Sequence, residues 1–186
     1  PVQKDIVFDE TLKGVILSGS PCSVNEKDAP LKDIKAIADK VPVLGICYGA
    51  QLIAKMYGGE VAAGNKREYG RAVLNIVKEN VLTEGLPVQS PVWMSHSDTI
   101  KQLPAGFELL ANTESIPVAA FVNAAKEKNK IFGLQFHPEV YHSAEGKKII
   151  ENFLVKVCGC KKDWTPAHFI TETVEKLKAQ LGDSKV

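Results

Sequence analysis

Cys47 stands between Gly45 and Gly49 at the end of the apolar run Val43-Leu44-Gly45-Ile46, and a helix-forming stretch begins at the next residue. Gly-x-Cys-x-Gly is the thiol form of a nucleophile elbow. Glycines on both sides permit a strained strand-to-helix turn and keep side chains away from the substrate. Much later comes His137-Pro138-Glu139, a base with a carboxylate two residues on that can hold its far nitrogen. Together these residues predict Cys-His-Glu acyl transfer, with Cys47 as nucleophile, His137 as proton shuttle and Glu139 as orienting group. A helix starting at Tyr48 would favour the Cys47 thiolate through its dipole and free amides. The Tyr48 amide is the first candidate for stabilising an oxyanion. Ser18-Gly19-Ser20-Pro21 follows another predicted strand, and Gly19 or Ser20 is the candidate for the second donor. Gln51, one helical turn beyond Cys47, is placed to touch the substrate.

A lone buried cysteine is ordinarily packing, and a histidine beside proline is ordinarily a turn residue. The elbow glycines, the helix start, Gln51 and the His-Pro-Glu element in one chain argue otherwise. Ser95-His96-Ser97-Asp98 has the residue types of a serine triad, but neighbours along one backbone cannot converge as a triad does, so it reads as a substrate-contact loop. Cys158-Gly159-Cys160 is spaced more tightly than zinc knuckles, with no companion Cys/His pair, and no metal site is expected. His142 and His168 sit in polar settings without an assigned role.

To position these groups, the sequence offers strands at Gly14 to Ser18, Val41 to Ile46, Arg71 to Val77, Pro91 to Met94, Phe107 to Ala111, Val118 to Val122 and Ile131 to Phe136. Helices are expected at Leu31 to Asp39, at Tyr48 to Tyr57 with Gly58-Gly59 as its stop, and at Glu145 to Val157 after a capping Ser143. Early strand-helix alternation predicts an α/β layer with a mostly parallel sheet flanked by helices; the strand-rich middle predicts added antiparallel strands. A last helix opens at Trp164-Thr165-Pro166, with Thr165 as N-cap, carries Phe169, Ile170, Val174, Leu177 and Leu181 on one face, and stops at Gly182. Asp183 to Val186 reads as the start of a strand.

The 186 residues fit one domain plus a short appendage, and the net charge of +1 is dispersed, without the basic stripe that neutralises nucleic-acid phosphates. No apolar run approaches the roughly 20 residues that cross a bilayer, and the four cysteines form no disulfide framework. The expectation is a soluble, cytoplasmic protein. Beginning at Pro1-Val2-Gln3, the chain reads as part of something longer, with an earlier strand-helix unit outside it.

The quoted residues resemble the class I (triad) glutamine amidotransferases. Gly45-Ile46-Cys47-Tyr48-Gly49 with Gln51, and His137-Pro138-Glu139, carry the family-wide likeness. Four further stretches resemble the branch found in glutamine-hydrolysing GMP synthases: Leu17 to Val24, Arg67-Glu68-Tyr69-Gly70, Trp93 to Asp98 and His137 to Ser143. Ser20 and Ser97 stand where that branch usually has glycine, and Tyr141 where threonine is common. The resemblance implies a flavodoxin-like architecture, an amidotransferase domain over residues 1–160, and a bridge over 161–186 toward an ATP pyrophosphatase domain of the same polypeptide. It also implies glutamine as substrate, with Ser95, His96, Ser97 and Asp98 bordering it. Ammonia would pass to a synthetase site that converts XMP to GMP, with ATP and magnesium bound there and no cofactor in this chain. A homodimer of the longer protein is compatible with it. The alternatives are the amidotransferase subunit of another synthase, such as anthranilate or aminodeoxychorismate synthase, and a non-catalytic amidotransferase-like module that regulates a partner.

Overall fold

In the computed structural model the two β-branched, apolar runs at the heart of the sequence become adjacent parallel strands, β2 (Val43–Ile46) and β7 (Ile131–Leu134), buried along their whole length. The structure describes residues 6, 8–27, 29, 33–124, 130–163 and 165–182, with the side chains of 65–68 and 168 outside that description. Strands covered on both faces read as continuous hydrophobic runs, because neither side of the pleat meets water. Val43 and Ile131 point into one core with Ile34, Ile37, Ile53 and Phe121. Leu44, Phe132 and Leu134 point into the other with Leu74, Leu110, Ile149 and Phe153.

Seven strands form one mixed sheet in the order β1-β2-β7-β6-β5-β3-β4. β1 (Val15–Leu17), β2 and β7 run parallel, and β6 (Ala120–Asn123), β5 (Phe107–Asn112), β3 (Glu60–Ile76) and β4 (Gln89–Gln102) continue antiparallel. The expected α/β sheet with added antiparallel strands is present, and its antiparallel part is the larger. Two expected strands prove much longer. Arg71 to Val77 belongs to a strand that begins at Glu60, and Pro91 to Met94 to one that runs on to Gln102. Ser95 to Asp98 is therefore strand, not loop. Polar residues hid this, because the outer part of the hairpin has one wet face and a register shift between Ala63 and Glu68 that breaks the alternation. The hairpin also curls back on the sheet: His137 N donates to the Trp93 carbonyl at 3.0 Å and Ala144 N to that of Pro91 at 3.1 Å. The last strand in the sheet order thereby meets the segment that follows β7.

Helix α1 (Ile34–Ala38) is capped by Asp33, whose Oδ1 accepts from Ala36 N at 3.1 Å; the expected start at Leu31 lies outside the described residues. α2 (Tyr48–Met56) packs on β1 and β2 as expected, and Gly58 follows it at φ 91°. The helix expected from Glu145 to Val157 is two pieces, α3 (Gly146–Glu151) and a π-helical turn (Asn152–Val157). Ser143 does not cap it. Glu145 occupies the N-cap position without a side-chain bond, and the Ser143 hydroxyl is used elsewhere. α4 (Pro166–Leu181) begins at the expected proline and ends at Gly182, φ 54°, with Phe169, Ile170, Val174, Leu177 and Leu181 exposed. Trp164 and the strand expected from Asp183 lie outside the described residues.

The join between β1 and α2 is a tight backbone contact that the site depends on. A Cβ at Gly49 would stand 2.3 Å from the Leu17 carbonyl oxygen, which is backbone and cannot turn away. Gly49→Ala gains about 1 kcal/mol in helix propensity but overpacks this contact at a cost of about 1–3 kcal/mol. A lowered thermal midpoint in calorimetry is expected. An unchanged or raised midpoint would show that β1 and α2 can separate freely.

Candidate active site

Cys47 is the one residue other than glycine with positive φ among the described residues, at φ 51° and ψ −104°. The sequence builds this turn from both sides. A Cβ at Gly45 would sit 2.5 Å from the Gly49 carbonyl carbon, so β2 and the first turn of the helix fold onto each other only because Gly45 lacks a side chain, as Gly49 does for the contact with β1. Cys47 N donates to the Leu134 carbonyl at 2.7 Å, extending the β2–β7 ladder to the nucleophile itself.

The base arrives on the neighbouring strand. His137 follows β7, and its Nδ1 lies 2.7 Å from Glu139 Oε1, which leaves Nε2 for the cleft. Gly19 closes the group: a Cβ there would be 3.1 Å from His137 Cε1 and 3.7 Å from Cys47 Cβ. Any side chain at position 19 would press on the imidazole. Cys47, His137 and Glu139 share a cleft of about 730 Å³ with Gly19, Ser20 and Gln51 on its walls. Ser95, His96, Ser97 and Asp98 supply the opposite wall from β4, with the exposed Tyr69 from β3. The side chains of Arg67 and Glu68 lie outside the described residues.

The structure brings together every residue selected from the sequence except the Tyr48 side chain. That ring is buried, and only its main-chain amide acts here, by hydrogen bonding to the Cys47 sulfur. The Cys47 Sγ lies 3.6 Å from the Ser95 carbonyl oxygen. Gln51 reaches across to the Asp98 carbonyl, Nε2 to O 2.8 Å, and Ser23 donates its hydroxyl to Asp98 Oδ2. Ser20 turns its Oγ to the Cys22 amide at 3.2 Å, which closes the 18–23 segment on itself.

The expectation of a resting thiolate is corrected. Burial pushes the Cys47 thiol up to about 11; the Tyr48 amide pulls it down, and the negative Glu139 pushes it further up. Desolvation outweighs the helix start because the thiolate would lose more hydration than one amide returns. A base beside the thiol is therefore needed, and His137 Nε2 is the one placed for it.

Three residues passed over by the sequence reading support the group. Ser143 Oγ accepts from Trp93 N at 3.1 Å and donates to the His137 carbonyl at 2.5 Å, tying β4 to the His-Pro-Glu turn. Gln135 lies fully buried behind Gln51. Ser23 holds Asp98. Gln135 was readable in principle, because i and i+2 share a face in extended chain and His137 is two residues on. Ser143 and Ser23 had no such signal for their ties to β4, since Trp93 and Asp98 lie 50 and 75 residues away.

Cys158 is half-buried, and a Cβ at Gly14 would be 2.4 Å from its Sγ, so this cysteine packs under the start of β1. Among the described residues no group of three metal-ligating side chains occurs. His142 stacks on Trp93 with ring centroids 4.4 Å apart, outside the cleft.

Two outcomes are expected. Because the thiol is the stable form at neutral pH, alkylation of Cys47 by iodoacetamide, followed peptide by peptide in a mass spectrometer, should accelerate about tenfold per pH unit from about pH 7 to about 10. A plateau below pH 8 would mean a stabilised thiolate. Ser143→Ala leaves the part-buried Trp93 amide and the His137 carbonyl without that partner, and unfolding free energy should fall by about 1 kcal/mol. Ser143→Thr should restore most of it. Equal stability of Ser143→Ala and the parent in urea would overturn the tie.

The geometry agrees with what this chain resembles. Residues 1–157 match the family model of the class-I glutamine amidotransferases. The chain is 53% identical, over its whole length, to GMP synthase (glutamine-hydrolysing) 1 of Bacteroides thetaiotaomicron, and 48% identical over 93% of its length to GMP synthase (glutamine-hydrolysing) of Aquifex aeolicus. It spans 36% of the first relative and 33% of the second. A crystal structure of a glutamine amidotransferase from Thermotoga maritima superposes with a TM-score of 0.62 at 28% identity, covering 92% of this chain and 74% of that one. No helix among the described residues is long and apolar enough to cross a membrane. With the matched model extending over most of its residues, the chain belongs to the class-I glutamine amidotransferase family.

Proposed function

We propose that this chain hydrolyses glutamine to glutamate and ammonia, and that the ammonia serves the synthesis of GMP from XMP in a longer protein. The observation that carries the reading is the convergence of the Cys47 elbow, the His137–Glu139 pair and Gly19 on one cleft. In this reading Cys47 Sγ attacks the glutamine δ-carbonyl carbon while His137 Nε2 takes the thiol proton. Burial of the thiol makes that base necessary. Negative charge developing on the carbonyl oxygen is met by the Tyr48 amide and by an amide of the Gly19-Ser20 segment, of which Gly19 lies beside both Cys47 and His137. Collapse of the intermediate breaks the C–N bond, and His137 returns the proton to the leaving nitrogen as ammonia departs. Water then attacks the thioester, gives its proton to His137, and the C–S bond breaks to release glutamate and the thiol. Glu139 keeps Nδ1 protonated and the ring oriented through both halves.

The GMP branch rests on the relatives' names and on their length, of which this chain spans about a third. ATP, magnesium and XMP are assigned to the remainder of such a protein. The domain division follows: residues 1–160 carry the hydrolase and 161–186 the bridge, consistent with a family match that stops at residue 157 and with the exposed apolar stripe of α4. A cytoplasmic location suits the free cysteine nucleophile.

The test uses the longer protein that carries this chain. Cys47→Ala should abolish glutamine-dependent GMP formation and glutamate release while GMP formation from added ammonium salt persists. His137→Ala should lose nearly as much, and Glu139→Ala should retain at least about tenfold more activity than His137→Ala, since orientation is partly recovered by other contacts. Loss of the ammonia-dependent reaction in Cys47→Ala would argue against separate sites. Undiminished glutamate release in that variant would sink the nucleophile assignment.

A further inference from the structure

Gln51 carries two N–H bonds on Nε2, and both are taken up by the protein. One points to the Asp98 carbonyl at 2.8 Å and the other to Gln135 Oε1 at 3.4 Å. A primary amide whose hydrogens are both occupied can present only its oxygen to a ligand. Gln51 lines the cleft and is otherwise buried, 3% exposed, so the choice of which end faces the cleft is made inside the protein. Turning the amide over would set Gln51 Oε1 against the Asp98 carbonyl oxygen, two acceptors facing each other.

Gln135 is an unexpected residue for its position. It is 0% exposed, and its own Nε2 has no hydrogen-bond partner among the described residues. Leucine or methionine would fill the same space without burying an unpaired amide nitrogen. Its backbone is anchored, N to the Ala119 carbonyl at 2.8 Å, directly after β7 and two residues before His137. Among the described residues the side chain has one polar contact, and that contact is Gln51.

We propose that Gln135 is a positioning residue that occupies the second hydrogen of Gln51 and so makes Gln51 an acceptor only, tuned to a ligand that brings a positively charged N–H donor. This rests on the reading of the cleft as a glutamine site, where the donor is the substrate's α-ammonium. The Asp98 and Glu26 carboxyl groups, which line the same cleft, suit a cation there. Removing the Gln135 oxygen frees an N–H of Gln51, leaves the amide held by the Asp98 carbonyl alone, and so loosens its oxygen and weakens its preference for an ammonium over an uncharged group.

The test compares glutamine with glutaramate, the same molecule lacking its α-amino group, each used to protect Cys47 of the intact chain from alkylation. In the parent, glutamine should protect at a concentration at least tenfold lower than glutaramate. In Gln135→Met the advantage should shrink about three- to tenfold through weaker glutamine binding, with glutaramate unchanged. Gln135→Glu, which keeps an acceptor oxygen, should preserve the advantage, and Gln135→Leu serves if Gln135→Met does not fold. In the Gln51→Ala background, Gln135→Met should have no further effect. Equal weakening of both ligands, or an additive double variant, would reduce Gln135 to packing and overturn the proposal while leaving the glutamine site standing. If glutamine fails to protect the parent chain, the reading of the cleft falls and this proposal with it.

Discussion

A cysteine held at φ 51° and ψ −104° occupies backbone space that residues with a Cβ avoid, at a cost of about 1–3 kcal/mol. Everything around Cys47 works to keep it there. β2 and β7 are buried on both faces, and their hydrogen-bond ladder reaches the Cys47 amide itself. α2 is pulled back onto the strands by two glycines whose Cβ positions are already filled by backbone. Leu44 and Ile46 pack with Phe132, Leu134 and Phe136 in one core, and Val43 with Ile53 and Ile131 in the other. The strain persists because relaxing the turn would open both.

The two halves of the sheet divide the labour. The parallel strands β1, β2 and β7 deliver Gly19, Cys47 and His137 from their carboxyl ends, the place where α/β sheets gather reacting groups. The antiparallel hairpin β3–β4 delivers the substrate wall. It does so by curling until Trp93 meets His137 through the backbone, with the Ser143 hydroxyl as a second tie. A close approach completes the seam: a Cβ at Gly146 would be 1.9 Å from the Pro138 carbonyl oxygen, so α3 begins directly against the His-Pro-Glu turn.

The chemistry of the site was legible because it is written locally. Cys47 with its glycines, and His137 with Glu139, sit within a few residues of one another, and local spacing fixes what they can do. All seven strands were also visible as short apolar runs. The full extent of β3 and β4 was not, because the outer hairpin is half wet and its alternation is interrupted at the register shift. Ser143 looked like a helix cap because its neighbours fit that pattern, whereas its partners Trp93 and His137 come together only in the folded chain. The protonation of Cys47 was misjudged for a related reason. Helix polarity can be read from sequence, but desolvation depends on how deeply the thiol is buried, which only packing decides.

The hydrogen bond from Cys47 N to the Leu134 carbonyl carries the β2–β7 ladder, with its strand spacing of about 4.8 Å, up to the nucleophile, and His137 stands three residues beyond Leu134 on the exit of the partner strand. Nucleophile and base are thus both rooted in one pair of strands buried on both faces. The 18–23 segment is held differently: it bonds to itself through Ser20 and touches β4 through Ser23 and Asp98. Nucleophile and base therefore stand on sheet, whereas the Gly19 wall beside them stands on a loop closed by two serine hydroxyls.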